Sequence, residues 1–162
     1  MNMTVKERFI HLWGEYFGKA DLPIVFFYTD NPVGIEKVKP PKVDHRCVFA
    51  DIARARKGSS IAFDVGAIGC FGGKRYFGFT EGFKPNFEYF LSCGIPGEME
   101  GERYKKSPEI VREVMRNMPQ LKAPGQYIVF KRWDRIEADD KPDVVIFFAY
   151  PDILSGIFTL AN

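Results

Sequence analysis

The amino-acid sequence predicts an α+β fold with a mixed, mostly antiparallel sheet of about five strands flanked by helices. Amphipathic segments with helix-capping residues alternate with apolar runs of roughly four to eight residues, the length typical of strands. Two of these runs flank a glycine-dense turn, and two others are joined by a short charged loop, as in antiparallel neighbours. The chain has 162 residues, so we expect a single α+β domain over residues 1–162.

The first predicted helix covers residues 4–17. Thr4 and Glu7 have the spacing of a capping box, in which side chains satisfy the free N–H groups of the first turn. Aromatic and aliphatic residues recur at helical spacing and form one wide apolar stripe. Gly18 ends the pattern.

Three further segments have helical patterns. Asp44 is the predicted N-cap of a helix over residues 45–57, and residues 85–92 form a short helix or turn. Ser107 and Pro108 then supply an N-cap and a proline at the first helical position. In this fourth predicted helix, which begins at Pro108, the predicted inner face consists of Ile110, Val111, Val114, Met115 and Met118.

The last predicted helix begins at Pro151 and contains the apolar run ILSGIFTL. A helix with so little charge needs a partner surface. Either it docks on the sheet or on a second subunit, as in a homodimer, or the chain is an incomplete fragment of a longer protein.

The five predicted strands cover residues 24–28, 61–65, 76–79, 127–133 and 143–150. The second and third form a hairpin around the glycine turn. The last is the most apolar run, so we place it in the middle of the sheet. Residues 31–43 contain three prolines and are predicted to be a loop, because proline interrupts helices and central strands.

Composition argues against several classes of protein. A net charge of +2 without a basic block argues against nucleic acid as a partner. No apolar run approaches the roughly 20 residues that span a membrane, and the N-terminal segment lacks the apolar core of a signal peptide. Three cysteines without a C-x-x-C pair do not suggest a secreted disulfide framework. We therefore expect a cytoplasmic protein.

A glycine-dense turn over residues 66–73 is the predicted ligand site. Glycine lets a ligand approach the main chain, and successive N–H groups in such a turn can form an anion-binding concavity. The alternative is that these glycines only shape a bulged hairpin. The candidate residues for binding a small anionic molecule are Arg46, Gly69, Gly72, Gly73, Lys74 and Arg75.

Three cysteines are candidate metal ligands. Cys47 lies at a predicted helix start, where the helix dipole favours a thiolate; Cys70 lies in the glycine turn, and Cys93 ends a short helix. Three thiolates with an open position suit an iron–sulfur cluster or another thiolate-bound metal. The alternative is that each is a small buried apolar residue, and no short-spaced pair favours the metal.

The blocks HRCVFADIARARKGSSIAFD, GCFGGKRYFGF and FLSCGIPGEMEGERYKKSPEIV resemble the DUF169 family of uncharacterised prokaryotic proteins, as does YPDILSGIFTLAN near the end. Members of that family usually continue with another block that contains glycine and cysteine, which favours the fragment interpretation. The resemblance implies a grouping and no established activity.

Together these features predict a small-ligand or metal/cofactor-binding protein, redox-linked if its thiols react. Its pocket would be formed by the glycine turn, the start of the Cys47 helix and the turn at Cys93 and Gly94. Two alternatives stay open. One is a metal-independent enzyme acting on an anionic small molecule, and the other is an interaction module that dimerises through the last helix.

Overall fold

The computed structural model describes residues 3–42 and 46–161. It confirms the predicted α+β fold, in which helices accompany a five-stranded, mostly antiparallel mixed sheet. In chain order the elements are α1 (Val5–Phe17), β1 (Ile24–Thr29), β2 (Glu36–Lys37), α2 (Val48–Arg56), β3 (Ile61–Phe63), α3 (Phe71–Tyr76), α4 (Phe87–Phe90), α5 (Pro108–Asn117), β4 (Tyr127–Arg132), β5 (Val144–Ile146) and α6 (Pro151–Ala161), with a 3₁₀ turn at Trp133–Arg135.

The chain divides into two compact units. The first comprises Met1–Cys70 and Ala123–Asn162, and it contains the whole sheet with α1, α2 and α6. The second, Phe71–Lys122, contains α3, α4 and α5. A single domain over residues 1–162 stays a prediction.

The sheet has the strand order β2-β3-β4-β1-β5. Only the β2–β3 pair is parallel among these pairs, and the other three are antiparallel. The inner strands supply the core, since Val25, Ile61 and Phe130 are fully buried. Burial on both faces explains why these strands have nearly continuous apolar sequences. β2 lies inside the segment that was predicted to be a loop, where Glu36 pairs with Ile61 of β3.

The predicted central position of the last strand is wrong. β5 is an edge strand that covers only Val144–Ile146, and Val144 and Val145 are exposed. The apolar residues after Ile146 leave the sheet. Phe147 packs on Trp13 of α1, with 5.6 Å between ring centroids, so its apolar character serves helix packing.

The predicted hairpin around the glycine turn is also wrong. β3 ends at Phe63, because the Asp64 side chain accepts a hydrogen bond from the Ala67 N–H at 2.8 Å and turns the chain. The end of the predicted turn, with Gly72 and Gly73, lies inside α3, and residues 77–79 of the predicted strand form a turn and a bend. The neighbours of β3 are therefore β2 and β4.

The first predicted helix is confirmed as α1, and Thr4 and Glu7 form both hydrogen bonds of a capping box. The second begins later than predicted. Cys47 is its N-cap, one residue before the first turn, and its side chain makes no capping hydrogen bond. The predicted cap Asp44 and the predicted first helical residue His45 lie outside the described residues.

The fourth predicted helix is confirmed as α5, with Ser107 as N-cap and Pro108 in its first turn. Its inner face is narrower than predicted. Val111 is fully buried, whereas Ile110 and Val114 are exposed. Among the described helices, none combines the length and the apolarity needed to cross a membrane.

Candidate functional site

Two of the predicted site segments meet in the first unit at a backbone contact. A Cβ built on Gly69 would lie 2.8 Å from the Cβ of Arg46 and 2.9 Å from its backbone nitrogen. No side chain fits at that distance, so the absence of one at Gly69 permits the approach. The start of α2 and the glycine turn are therefore neighbours. The two residues in contact, Arg46 and Gly69, are each followed along the chain by a cysteine, Cys47 and Cys70 respectively.

Arg46 already has an anionic partner in this region. Its Nη2 atom forms an ion pair with the carboxylate of Asp51, a buried residue of α2. Arg54 lies 3.4 Å from the same carboxylate and hydrogen-bonds both oxygens of Glu36, and the bond to Glu36 raises the pKa of Arg54. The charge of Arg46 thus stabilises the fold locally.

The other predicted anion-binding residues lie in α3 of the second unit. Arg75 is only 4% exposed. Its guanidinium carbon lies 4.1 Å from the centroid of the Phe83 ring, and its Nε donates a hydrogen bond to the Gly82 carbonyl at 3.0 Å. This packing leaves Arg75 little surface for an external anion, whereas Lys74 is partly exposed.

Cys93 lies in the second unit and lines a small open cavity. The cavity has a volume of about 400 Å³ and is lined by Cys93 and residues 95–100. The thiol is exposed and lies 3.4 Å from the Gly94 carbonyl oxygen. Within residues 3–42 and 46–161, no three His, Cys, Asp or Glu side chains are grouped so that they could hold a metal ion. The metal site of Cys47, Cys70 and Cys93 stays a prediction.

A larger site lies in the first unit, in an apolar groove between α1 and α6. The groove has a volume of about 840 Å³, within the range typical of small-molecule sites. We call it the α1–α6 groove. Its described lining residues are Phe9, Leu12, Trp13, Tyr16, Phe17, Phe147, Ser155, Gly156, Ile157, Thr159, Leu160 and Ala161.

Aromatic rings form one wall of the α1–α6 groove. Trp13 is at their centre, with ring centroids 5.4 Å from Phe9, 5.0 Å from Phe17 and 5.6 Å from Phe147. The Trp13 indole N–H donates to the Ala20 carbonyl oxygen at 3.4 Å, which fixes the orientation of the ring. The groove therefore has a wall of mutually packed rings.

The opposite wall comes close to this ring cluster at Gly156 of α6. A Cβ there would lie 2.8 Å from Cε1 of Phe17, so a larger residue would displace the ring. Farther along α6, Leu160 is 76% exposed.

The predicted site residues do not include this groove, although two patterns indicated its walls. The apolar stripe of α1 is rich in aromatic residues, and α6 is an apolar helix that needs a partner surface. The volume between the two helices depends on their tertiary positions, which neither pattern gives.

No curated protein and no solved structure matches the chain. A family model described as an uncharacterised ArCR family, DUF169, matches residues 22–162. That match covers most of the chain and confirms the resemblance of the cysteine and glycine blocks. The chain therefore belongs to the DUF169 family.

Proposed function

We propose that this protein binds a small apolar molecule in the α1–α6 groove. The observation that carries the proposal is an open volume of about 840 Å³ against a wall of packed aromatic rings. Ligand sites are typically concave, mostly apolar and of this size. The proposal keeps the predicted class of small-ligand binding and assigns it to a different place from the glycine turn.

Leucines on α6 allow a matched test of the groove. Leu160 lines it and is 76% exposed, whereas Leu154 is 47% exposed and is not among the lining residues. Because both side chains reach solvent, either can be changed to serine with little effect on folding. The probe is the uncharged dye N-phenyl-1-naphthylamine, whose fluorescence rises in apolar surroundings.

We expect the wild-type protein to bind the probe, and Leu160→Ser to weaken binding by about fivefold through lost apolar contact. Leu154→Ser should change the affinity less than twofold. Absence of a fluorescence rise with the wild type, or equal losses in both variants, would overturn the proposal.

A second copy of the chain is the competing occupant. If the groove is a dimer interface, wild-type protein will be dimeric in light scattering and Leu160→Ser monomeric. Probe binding will then decrease as the wild-type concentration rises. That combination would replace ligand binding with the dimerisation expected for an interaction module.

A second candidate function is thiol-dependent binding of a metal or cluster at Cys47 and Cys70. It is favoured by the contact between Gly69 and Arg46, the residues that precede these cysteines. Cys47 is exposed and Cys70 is partly exposed, so both thiols are accessible. Two thiolates leave two positions of a tetrahedral metal for ligands from outside the protein, one more than open metal sites usually have.

Metal content measured on the full chain after anaerobic purification tests this candidate. We expect roughly equimolar metal in the wild type and in Cys93→Ser, and its loss in the double variant Cys47→Ser/Cys70→Ser. An absorption spectrum in the visible range identifies a cluster. A metal-free wild type, or a double variant that retains the metal, would rule it out.

A further inference from the structure

The described lining of the α1–α6 groove has no charged side chain. It consists of aromatic and aliphatic residues with three hydroxyl-bearing ones, Tyr16, Ser155 and Thr159. A carboxylate or an ammonium group that loses part of its hydration in such surroundings meets no counter-charge there. The lining therefore favours ligands without charge.

The hydroxyl groups define what polar contact the groove offers. Thr159 Oγ1 donates to the Ser155 carbonyl oxygen at 2.9 Å, so its proton is used and its oxygen can still accept a hydrogen bond. The hydroxyls of Tyr16 and Ser155 can each donate and accept. The Trp13 N–H already has a partner in the Ala20 carbonyl. A single hydroxyl or carbonyl group on a ligand could form hydrogen bonds with these three hydroxyls.

We propose that the groove selects an uncharged, largely apolar molecule with one hydroxyl or carbonyl group, and discriminates against the carboxylate of the same chain length. This inference rests on the proposed function and adds the chemical class of its ligand. It differs from the anionic ligand predicted for the glycine turn, because the groove provides no cation among its described lining residues.

Displacement of N-phenyl-1-naphthylamine by two ligands tests the selectivity. The pair is 1-dodecanol and dodecanoate at pH 7.5, both below the concentration at which they aggregate. We expect the alcohol to displace the probe at a concentration about tenfold lower than the carboxylate. Because the two differ in solubility in water, the wild-type ratio needs a variant for comparison.

Thr159→Lys places a cation in the lining, and Thr159→Gln adds length without charge. Thr159 is exposed, so both variants should fold, and circular dichroism checks this. We expect Thr159→Lys to reduce the preference for the alcohol about threefold to fivefold, the size of a solvent-exposed ion pair. Thr159→Gln keeps an acceptor oxygen at this position and adds no charge, so it should reduce the preference less than Thr159→Lys does.

The outcomes separate the two proposals. If the wild type binds the probe but dodecanoate displaces it as well as dodecanol, the selectivity is wrong and the ligand site stands. An unchanged preference in Thr159→Lys would also overturn the selectivity. If the wild type does not bind the probe at all, the ligand site itself is wrong.

Discussion

Replacing Trp13 with alanine is expected to lower the free energy of unfolding by about 3–5 kcal/mol, the range for truncating a large buried aromatic side chain. Trp13 is 6% exposed and packs on the rings of Phe9, Phe17 and Phe147. Its removal leaves a cavity among these rings. Urea denaturation measures the change.

The matched control for this change is Tyr16→Ala on the same helix. Tyr16 is 67% exposed, so its truncation should alter the free energy of unfolding by less than about 0.5 kcal/mol. Tyr16 lines the groove, so the control should still weaken probe binding. A Trp13→Ala protein about as stable as Tyr16→Ala would mean that the ring cluster is not a packed core.

Local patterns predicted the elements whose hydrogen bonds are also local. The capping box of Thr4 and Glu7 and the start of α5 at Ser107 and Pro108 each depend on residues within one helical turn. β1 was predicted for a different reason, because its hydrogen bonds are to the distant strands β4 and β5. Its apolar residues are continuous, as in a strand buried on both faces.

The wrong predictions concern the hairpin and the last strand. In the first case a hydrogen bond within a turn decided the structure, and in the second a contact between residues far apart in the sequence did. At the end of β3 the backbone N–H of Ala67 donates to the Asp64 side chain, and this turn replaces the predicted hairpin. The apolar run after Ile146 could belong to a central strand or to helix packing, and only the contact of Phe147 with Trp13 decides between them. Apolarity alone cannot make that distinction.

The candidate sites show the same division. Gly69 was predicted to contact a ligand, and the structure places the backbone of Arg46 against it. The charge of Arg75 suggested anion binding, yet its guanidinium packs on Phe83 within the second unit. A sequence shows that an arginine is present, whereas its exposure depends on residues that surround it in the fold.

The second large effect is expected at Gly94 in the second unit. Gly94→Ala should lower the stability of this protein by about 2–5 kcal/mol, the sum of a left-handed backbone and a steric clash. Its φ angle is +73°, and a Cβ would lie 2.3 Å from the Met99 carbonyl oxygen and 2.6 Å from the Gly101 nitrogen. That carbonyl accepts a hydrogen bond from Ile95 at 2.8 Å, so it cannot move away freely.

Gly97→Ala isolates the clash from the backbone strain. Gly97 has nearly the same φ angle, +77°, but nothing lies within 4 Å of its Cβ position. Its replacement should therefore cost only about 1–2 kcal/mol, the strain of the left-handed conformation. Because the two glycines lie in one loop and differ in space alone, the difference between the variants measures the clash. If Gly94→Ala and Gly97→Ala lose equal stability, residue 94 is not in backbone contact with residues 99–101. The loop over residues 95–100 would then not form the wall of the cavity beside Cys93.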